Sequence, residues 1–277
     1  MTYKLAISAA LILLRFHPSA ASATLKPETK AAWEAYLAEA TAAMQARLQP
    51  GARFLWLDDE PDRMEDIHKK GPYISPVGPH IPKKVPSGLI HDWLGVGFIP
   101  NVKIEDVLVI LRNYDRYQQI YRPGVIASIS HGTDGAKDLF SLRLVNKSAV
   151  AKTALDADCE ASYIRVDERR WYGVSNVTHI REVDKFGTPE ERTLPEDQGT
   201  GLIWRLSSFT RLEERDGGVY AELEAIALSR DIPAAFRMIV TPIVRRVSRD
   251  SLATSLHQTK VALDESMAHR SQETPAQ

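Results

Sequence analysis

Cysteine is almost absent from the chain: its 277 residues include a single one, Cys159. One thiol cannot form an intramolecular disulfide, and the usual cysteine-rich zinc patterns are excluded as well. Cys159 lies between Ala157 and Ala161 in an apolar alternation. We therefore expect Cys159 to be a buried core residue rather than a reactive site.

The motifs of several enzyme classes are also missing. There is no Gly-x-Ser-x-Gly elbow for a nucleophilic serine. Gly95-Val96-Gly97 lies inside a strand-like run and lacks the rest of any phosphate-binding fingerprint. Neither the paired helical spacing of zinc proteases nor an intervening carboxylate is found among His68, His80, His91, His131, His179 and His257. We expect no cofactor, no bound metal and no catalytic residue recognisable by motif.

An excess of charge of one sign is lacking too. Lysine and arginine number 35 against 36 aspartate and glutamate residues, which gives a net charge of −1. A nearly neutral chain without a basic stripe is not typical of nucleic-acid binding. The longest apolar run, Leu5 to Leu14, is too short to span a bilayer. We predict neither a nucleic-acid partner nor a stable membrane span in the mature chain.

That apolar run has the flanks of a cleavable signal peptide. Lys4 precedes it, and Ala21-Ser22-Ala23 follows with the small residues that signal peptidase requires. Residues 1–23 are therefore predicted to be removed before Thr24, so that the mature protein is periplasmic or secreted. The alternative is that this segment is the amphipathic first helix of the domain.

Residues 24–87 form a predicted N-terminal extension. Its first part, from Lys30 to Leu48, has the three-to-four spacing of an amphipathic helix. The rest is rich in proline and glycine, with a predicted short strand at Phe54–Leu57 and a return around Tyr73. We expect this part to be a hairpin on the main domain or an ordered lid, because its aromatic residues need burial.

Residues 88–264 have the element order of a single α+β domain. A strand at Gly88–Ile99 is followed by a helix that begins near Ile104 and ends before Pro123. Six strand-like runs come next, at 125–131, 139–145, 155–166, 170–183, 201–212 and 219–229. The loops between them have no room for crossover helices, which predicts an antiparallel sheet. A long helix starts near Asp231, and the polar residues 265–277 predict a disordered tail.

Three segments carry a resemblance to a known family: Gly88–Trp93, Leu202–Leu206 and Asp216–Glu224. With the element order, they make residues 88–264 similar to the helix-grip fold of the START-related superfamily, in an uncharacterised bacterial branch. This superfamily includes lipid-transfer domains, plant pathogenesis-related ligand binders and polyketide cyclases. The resemblance implies a curved antiparallel sheet wrapped around the C-terminal helix, with a cavity between them for an apolar molecule. It carries over no universal catalytic motif.

The turn at Asp216-Gly217 predicts the register of the last two strands, because these residues supply the positive φ angles of a tight hairpin. In this register Arg211 faces Glu222. One face of the hairpin then combines Arg205, Ser207, Phe209, Arg211, Tyr220, Glu222, Glu224 and Ile226. This charged face is either exposed to solvent, with Arg211 and Glu222 as a surface pair, or it lines the cavity and orients the polar end of a ligand.

Aromatic residues on separate strands complete the candidate cavity lining. The full set is Trp93, Tyr163, Trp171, Trp204, Arg205, Phe209, Arg211, Tyr220, Glu222 and Glu224. The sequence thus predicts an exported binding or carrier protein for a hydrophobic small molecule, lipid or isoprenoid-like.

Two alternatives remain open. One is a cyclase or hydratase that uses Glu222, Glu224 or His91 as acid or base. The other is a non-binding interaction module, in which Phe54, Trp56 or Tyr73 of the extension plugs the cavity.

Overall fold

The computed structural model of the chain describes residues 23–147, 152–233 and 237–273. The predicted signal peptide, apart from Ala23, lies outside the described residues. The helices are α1 (Pro27–Arg47), α2 (Pro61–Lys70), α3 (Ile104–Leu111), α4 (Tyr117–Ile120) and α5 (Arg237–Glu273), with 3-10 turns at Trp56–Asp59 and Tyr114–Arg116.

One large sheet contains ten strands, and every described strand pair is antiparallel. Its strand order is β2-β4-β12-β11-β8-β7-β6-β5, while β3 pairs with β4 and β9 pairs with β8. Two further strands, β1 and β10, pair with each other. The strands are β1 (Ala23–Thr24), β2 (Tyr73–Pro76), β3 (Lys83–Val85), β4 (Gly88–Pro100), β5 (Val125–Asp134), β6 (Lys137–Lys147), β7 (Lys152–Arg165), β8 (Arg170–Asp184), β9 (Arg192–Thr193), β10 (Gln198–Gly199), β11 (Arg205–Arg215) and β12 (Gly218–Arg230).

The β11–β12 hairpin has the predicted turn and register. Asp216 and Gly217 have φ angles of 56° and 78°, as a two-residue turn of this kind requires. Arg211 pairs with Glu222, and Phe209 pairs with Glu224. The hairpin lies in the middle of the sheet, because β12 pairs with β4 along its whole length and β11 pairs with β8.

Helix α5 packs across one face of the sheet. Leu252 forms an apolar cluster with Trp93 of β4 and with Ile81. A Cβ atom on Gly95 would lie only 3.0 Å from Leu256 Cδ1, so the glycine lets the helix approach the strand closely. The inward faces of β5 to β8, β11 and β12 enclose one cavity with α5. The predicted helix-grip α+β architecture is confirmed.

The N-terminal extension covers the opposite face of the same sheet. Trp33 and Met44 of α1 pack in one cluster with Phe209, Ile226 and Leu228. A second cluster joins the extension to β4 and β12, and it contains Phe54, Leu55, Leu57, Ile67, Leu94, Val96 and Tyr220. Side chains alternate between the two faces of a strand. The sheet is therefore buried between α5 on one side and α1 with residues 54–67 of the extension on the other.

The strand predicted at Phe54–Leu57 is wrong. The segment turns and forms the 3-10 helix at Trp56–Asp59. Its backbone N–H groups at Trp56 and Leu57 donate to the Glu222 carboxylate instead of to a neighbouring strand. The predicted hairpin is therefore absent from this part of the structure, and only its second arm, around Tyr73, is confirmed as β2, which pairs with β4.

Two helix boundaries also differ from the prediction. The helix that begins at Ile104 breaks after Leu111, because Tyr114 turns inward to donate to Asp138 and to stack on Phe140. The disordered tail predicted from Glu265 is wrong for residues 265–273, which are helical and belong to α5. Arg270 in this last part forms an ion pair with Asp106 of α3, which holds the helix end against the domain.

Candidate ligand cavity

A cavity of about 710 Å³ lies between the sheet and α5. Strands β5 to β8, β11 and β12 form its floor, and α5 forms one wall. Three tyrosines of the α3–α4 region, Tyr114, Tyr117 and Tyr121, close the side next to β6. Leu202, Pro123 and Ser251 are lining residues that are exposed to solvent, which marks where the cavity opens.

The wall opposite α5 is apolar. It is built from Phe140, Leu142, Leu144, Val145 and Leu155 of β6 and β7. Phe140 stacks on Tyr114 with ring centroids 4.0 Å apart, and the Tyr114 hydroxyl donates to Asp138 Oδ2 at 2.9 Å. Because that carboxylate is also bound by Arg112, the aromatic pair is held in place. This wall is a preformed apolar surface.

Hydroxyl groups line the floor near the centre of the sheet. Ser208 of β11 pairs with Ser175 of β8, and Thr210 is the next inward-facing residue of β11. In the described part of the chain, these three hydroxyls have no hydrogen-bond partner. A hydroxyl both donates and accepts hydrogen bonds, so the floor offers polar contacts to a ligand.

The wall formed by α5 is polar along the stripe that faces the cavity. Its lining residues include Asp250, Ser251, Thr254, Ser255, Gln258 and Thr259. Val247 and Leu256 of the same helix also line the cavity, whereas Leu252 is buried beside it against Trp93. At the far end of the cavity the hydroxyls of Tyr121 and Thr259 form a hydrogen bond of 3.0 Å. The cavity is thus amphipathic, with α5 on its polar side.

Cys159 lies on the cavity floor and is buried, as predicted. Burial, together with the charge of Asp158, raises the pKa of the Cys159 thiol to about 12. The thiol is therefore protonated at neutral pH and is a poor nucleophile. It contributes to the lining as a small apolar group.

The predicted aromatic residues lie at several places in the fold. Tyr163 lines the cavity, and its ring lies over Gly173, where a Cβ atom would be 2.7 Å from it. Trp93 packs against Leu252 of α5 beside the cavity, and Trp171 packs in the cluster around Leu212. Trp204 and Phe209 lie in the α1 cluster on the opposite face.

The charged face of the hairpin is buried under the extension, and two of its members, Ser207 and Glu222, border the cavity. Arg211 and Glu222 are only 2% and 1% exposed, and they form an ion pair. Glu222 borders the cavity, but its Oε2 accepts hydrogen bonds from Trp56 N at 2.9 Å and Leu57 N at 3.4 Å. The solvent-exposed interpretation of this face is wrong, because the extension covers the face and supplies its hydrogen-bond donors. The interpretation that the face orients the polar end of a ligand stays a prediction.

The remaining members of this face also bind residues outside the cavity. Arg205 forms an ion pair with Asp197 at 2.7 Å. The Tyr220 hydroxyl lies 2.8 Å from His68 Nε2, and its ring packs against Phe98. Glu224 is buried next to Arg211, at 3.7 Å from the guanidinium.

Asp92 on β4 adds a buried carboxyl that the sequence analysis did not single out. The Tyr36 hydroxyl of α1 donates to Asp92 Oδ2 at 2.8 Å. Burial and the nearby charge of Glu224 raise the pKa of Asp92 to about 8, and burial also raises the pKa of Glu224. A sequence signal exists, since Asp92 interrupts a strand that is apolar on both faces.

His91 lies on the α5 face of β4 but does not reach the cavity lining. Its Nε2 is 2.9 Å from the Ser229 hydroxyl, and burial lowers the pKa of His91 to about 4. No cluster of histidine, cysteine, aspartate and glutamate within the described residues has the arrangement of a metal site. None of the described helices combines the length and the apolar character needed to cross a membrane.

Most of the polar lining residues were not predicted from the sequence. Ser175, Ser208 and Thr210 are ordinary strand residues, and Ser251, Thr254 and Ser255 belong to a helix with many polar positions. The available signal was the spacing of the hydroxyls on α5, which recur beside the buried leucines. Only the packing shows that this stripe lines the cavity, at an open side where Ser251 and Thr254 are also exposed to solvent.

Comparisons with known proteins give matches in structure alone. No family model and no curated protein matches the chain. The chain is similar to a STAR-related lipid transfer protein from Xanthomonas axonopodis, with 15% identity, a TM-score of 0.44 and coverage of 69% of this chain and 98% of that chain. It is similar to human STARD10, with 8% identity, a TM-score of 0.45 and coverage of 81% and 86%. It is also similar to the Zhui aromatase/cyclase from a Streptomyces species, with 10% identity, a TM-score of 0.40 and coverage of 63% and 94%.

Proposed function

We propose that the protein binds a hydrophobic small molecule in the cavity between the sheet and α5. The observation that carries this proposal is the cavity itself, with a volume of about 710 Å³ and a largely apolar lining. Pockets that bind small molecules span roughly 300–1,000 Å³ and combine apolar walls with a few polar groups. A lipid or isoprenoid-like molecule fits this description.

The position of the extension supports an open cavity. Phe54, Trp56 and Tyr73, the aromatic residues that would have formed a plug, all belong to the cluster around Tyr220. This cluster lies on the face of the sheet that is turned away from α5. The extension therefore stabilises the sheet from behind and leaves the cavity free for a ligand.

The groups considered for acid–base catalysis are all bound to other residues of the fold, including Glu222, which borders the cavity. Glu222 and Glu224 bind Arg211 under the extension, and His91 packs against Ser229. A general acid or base must reach its substrate within hydrogen-bond distance. This placement favours binding over the cyclase or hydratase alternative.

The purified chain tests the proposal directly. Native mass spectrometry and organic extraction are expected to detect a bound apolar molecule. Ser175→Phe, which fills the floor of the cavity, is expected to abolish its retention. Thr178→Phe, on the exposed outer face of the same strand, is the matched control and retains the molecule. A Ser175→Phe protein that is folded and still carries the molecule contradicts binding in this cavity.

We further propose that the protein acts outside the cytoplasm, after cleavage before Thr24. The signal-peptide pattern of residues 1–23 supports export. Leu25 is buried, and its backbone N–H donates to Asp197, which ties down the start of the mature chain. N-terminal sequencing of protein from cell fractions is expected to find Thr24 first, outside the cytoplasm. A full-length cytoplasmic protein that begins at Met1 would contradict export.

A further inference from the structure

On the basis of the ligand binding proposed above, we propose that the preferred ligand is an uncharged amphiphile with several hydroxyl or carbonyl oxygens along one edge. Anionic lipids such as fatty acids and phosphatidic acids are disfavoured. Three features of the cavity point to this class: its charges, its hydroxyl groups and their arrangement.

Positive charge is missing from the part of the lining that the structure describes. None of the described lining residues is a lysine, arginine or histidine, and the acidic ones are Asp250 and Glu222. Arg211 is the partner of Glu222 on the other face of the sheet. The cations near Asp250 are Arg246 and Arg249, which are exposed on α5 and pair with it at 3.4 Å and 3.6 Å.

A carboxylate or phosphate inside this cavity would therefore lose its hydration without gaining a cationic partner. Burying an anion without such a partner is strongly unfavourable. This cost selects against anionic headgroups while leaving uncharged molecules unaffected.

The hydroxyl groups of the lining define what the ligand provides instead. Ser175, Ser208 and Thr210 on the floor are without a hydrogen-bond partner in the described chain, and they lie next to each other in the register. Ser251, Thr254 and Ser255 add further hydroxyls on the α5 side. Hydroxyl and carbonyl oxygens of an uncharged ligand satisfy such groups.

The arrangement of these groups gives the ligand a polar edge and an apolar edge. The hydroxyls lie on α5 and on the centre of the sheet, whereas the leucines of β6 and β7 form the opposite wall. Hydroxylated polycyclic molecules and uncharged glycerides both have this distribution. A simple hydrocarbon would leave the hydroxyls unpaired.

Two lipids that differ only in one phosphate group on the glycerol test the inference: 1-oleoylglycerol, which is uncharged, and 1-oleoyl lysophosphatidic acid, which is anionic. Binding of the uncharged dye Nile red is measured first, and displacement by each lipid follows at pH 7.5. We expect oleoylglycerol to bind at least about tenfold more tightly than lysophosphatidic acid. A tenfold difference corresponds to about 1.4 kcal/mol, which is the order of one hydrogen bond to a charged group. If lysophosphatidic acid binds as well or better, or if neither lipid displaces the bound dye, the inference is overturned and the proposed function stands. If Nile red itself does not bind, the proposed function fails.

A charge placed in the cavity provides the second arm of the test. Ser251→Lys adds an ammonium group at the exposed edge of the lining and is expected to tighten binding of lysophosphatidic acid by about tenfold. His257→Lys adds the same charge to the exposed side of the same helix, outside the lining. It is expected to change the affinity for neither oleoylglycerol nor lysophosphatidic acid. Equal effects of the two substitutions would show that the cavity does not select by charge.

Discussion

At the scale of single residues, we expect recognition of a polar ligand edge to depend most directly on the hydroxyl groups of Ser208 and Thr210. The double substitution Ser208→Ala with Thr210→Val removes both hydroxyl groups; Thr210→Val keeps the side-chain size, and Ser208→Ala loses only the oxygen atom. We expect it to weaken binding of 1-oleoylglycerol about three- to tenfold, which corresponds to about one net hydrogen bond. Nile red titration and displacement measure the change.

The matched control for this pair is Thr178→Val on the exposed face of β8, where the hydroxyl donates to Asp158 O. This control is expected to leave the affinities for Nile red and for 1-oleoylglycerol unchanged. Unchanged oleoylglycerol affinity in the double variant would show that these hydroxyls do not contact the ligand.

Asp92 is the residue at which the pH dependence of stability is expected to be largest. Its pKa in the folded protein, about 8, is above its ordinary value of 3.8, so the folded chain binds more protons than the unfolded chain between these pH values. The free energy of unfolding therefore decreases as the pH rises from about 4 to about 8. Burial raises the pKa of Glu222 and Glu224 as well, which adds to the same trend.

Asp92→Asn keeps a side-chain oxygen that can accept the hydrogen bond from the Tyr36 hydroxyl, but its amide cannot ionise. Between pH 5 and pH 8, the wild type is expected to lose at least about 1 kcal/mol more stability than Asp92→Asn, since one pKa unit corresponds to about 1.4 kcal/mol. Urea unfolding at the two pH values measures this difference. Parallel losses in both proteins would show that Asp92 is not the titrating group.

At the scale of secondary-structure elements, the close packing of α5 on β4 depends on a glycine, Gly95. A Cβ atom on Gly95 would lie 2.6 Å from Ile74 Cδ1 and 3.0 Å from Leu256 Cδ1, whereas at Gly97 the nearest atom is 3.9 Å away. Gly95→Ala is expected to destabilise the protein by about 1–3 kcal/mol, the usual cost of overpacking. Gly97→Ala, on the same face of the same strand, is expected to change stability by less than about 0.5 kcal/mol. Urea denaturation of both variants tests the difference, and equal effects would contradict close helix–strand packing at Gly95.

Elements specified by local sequence were the ones that could be predicted. The register of β11 and β12 follows from two adjacent turn residues, Asp216 and Gly217, and the structure confirms it. The segment Phe54–Leu57 was predicted wrongly because its partner is Glu222, which lies 166 residues away from Trp56. No local pattern distinguishes a backbone that binds a distant carboxylate from one that pairs with a strand.

At the scale of the whole molecule, the element order predicted a sheet wrapped around the C-terminal helix, and the family resemblance implied a cavity between them, but neither predicted the lining of the cavity. Which face of the hairpin lines the cavity depends on what covers the other face. Here α1 and the 3-10 turn at Trp56–Asp59 cover the face that carries Arg211 and Glu222. The charged residues therefore stabilise the attachment of the extension, and the inward face is left with hydroxyl and apolar groups.

Because the same sheet separates the cavity from the extension, occupation of the cavity is expected to stabilise the whole domain. A ligand present at a hundredfold excess over its dissociation constant adds about 2.7 kcal/mol to the free energy of unfolding. For a chain of this size, about 1 kcal/mol raises the melting temperature by about 2–4 °C, so 1-oleoylglycerol is expected to raise it by about 5–10 °C. Differential scanning calorimetry measures the shift. Thr178→Phe is expected to show the full shift and Ser175→Phe none, since only the second substitution fills the cavity. An equal shift in both variants would place the stabilising ligand elsewhere on the protein.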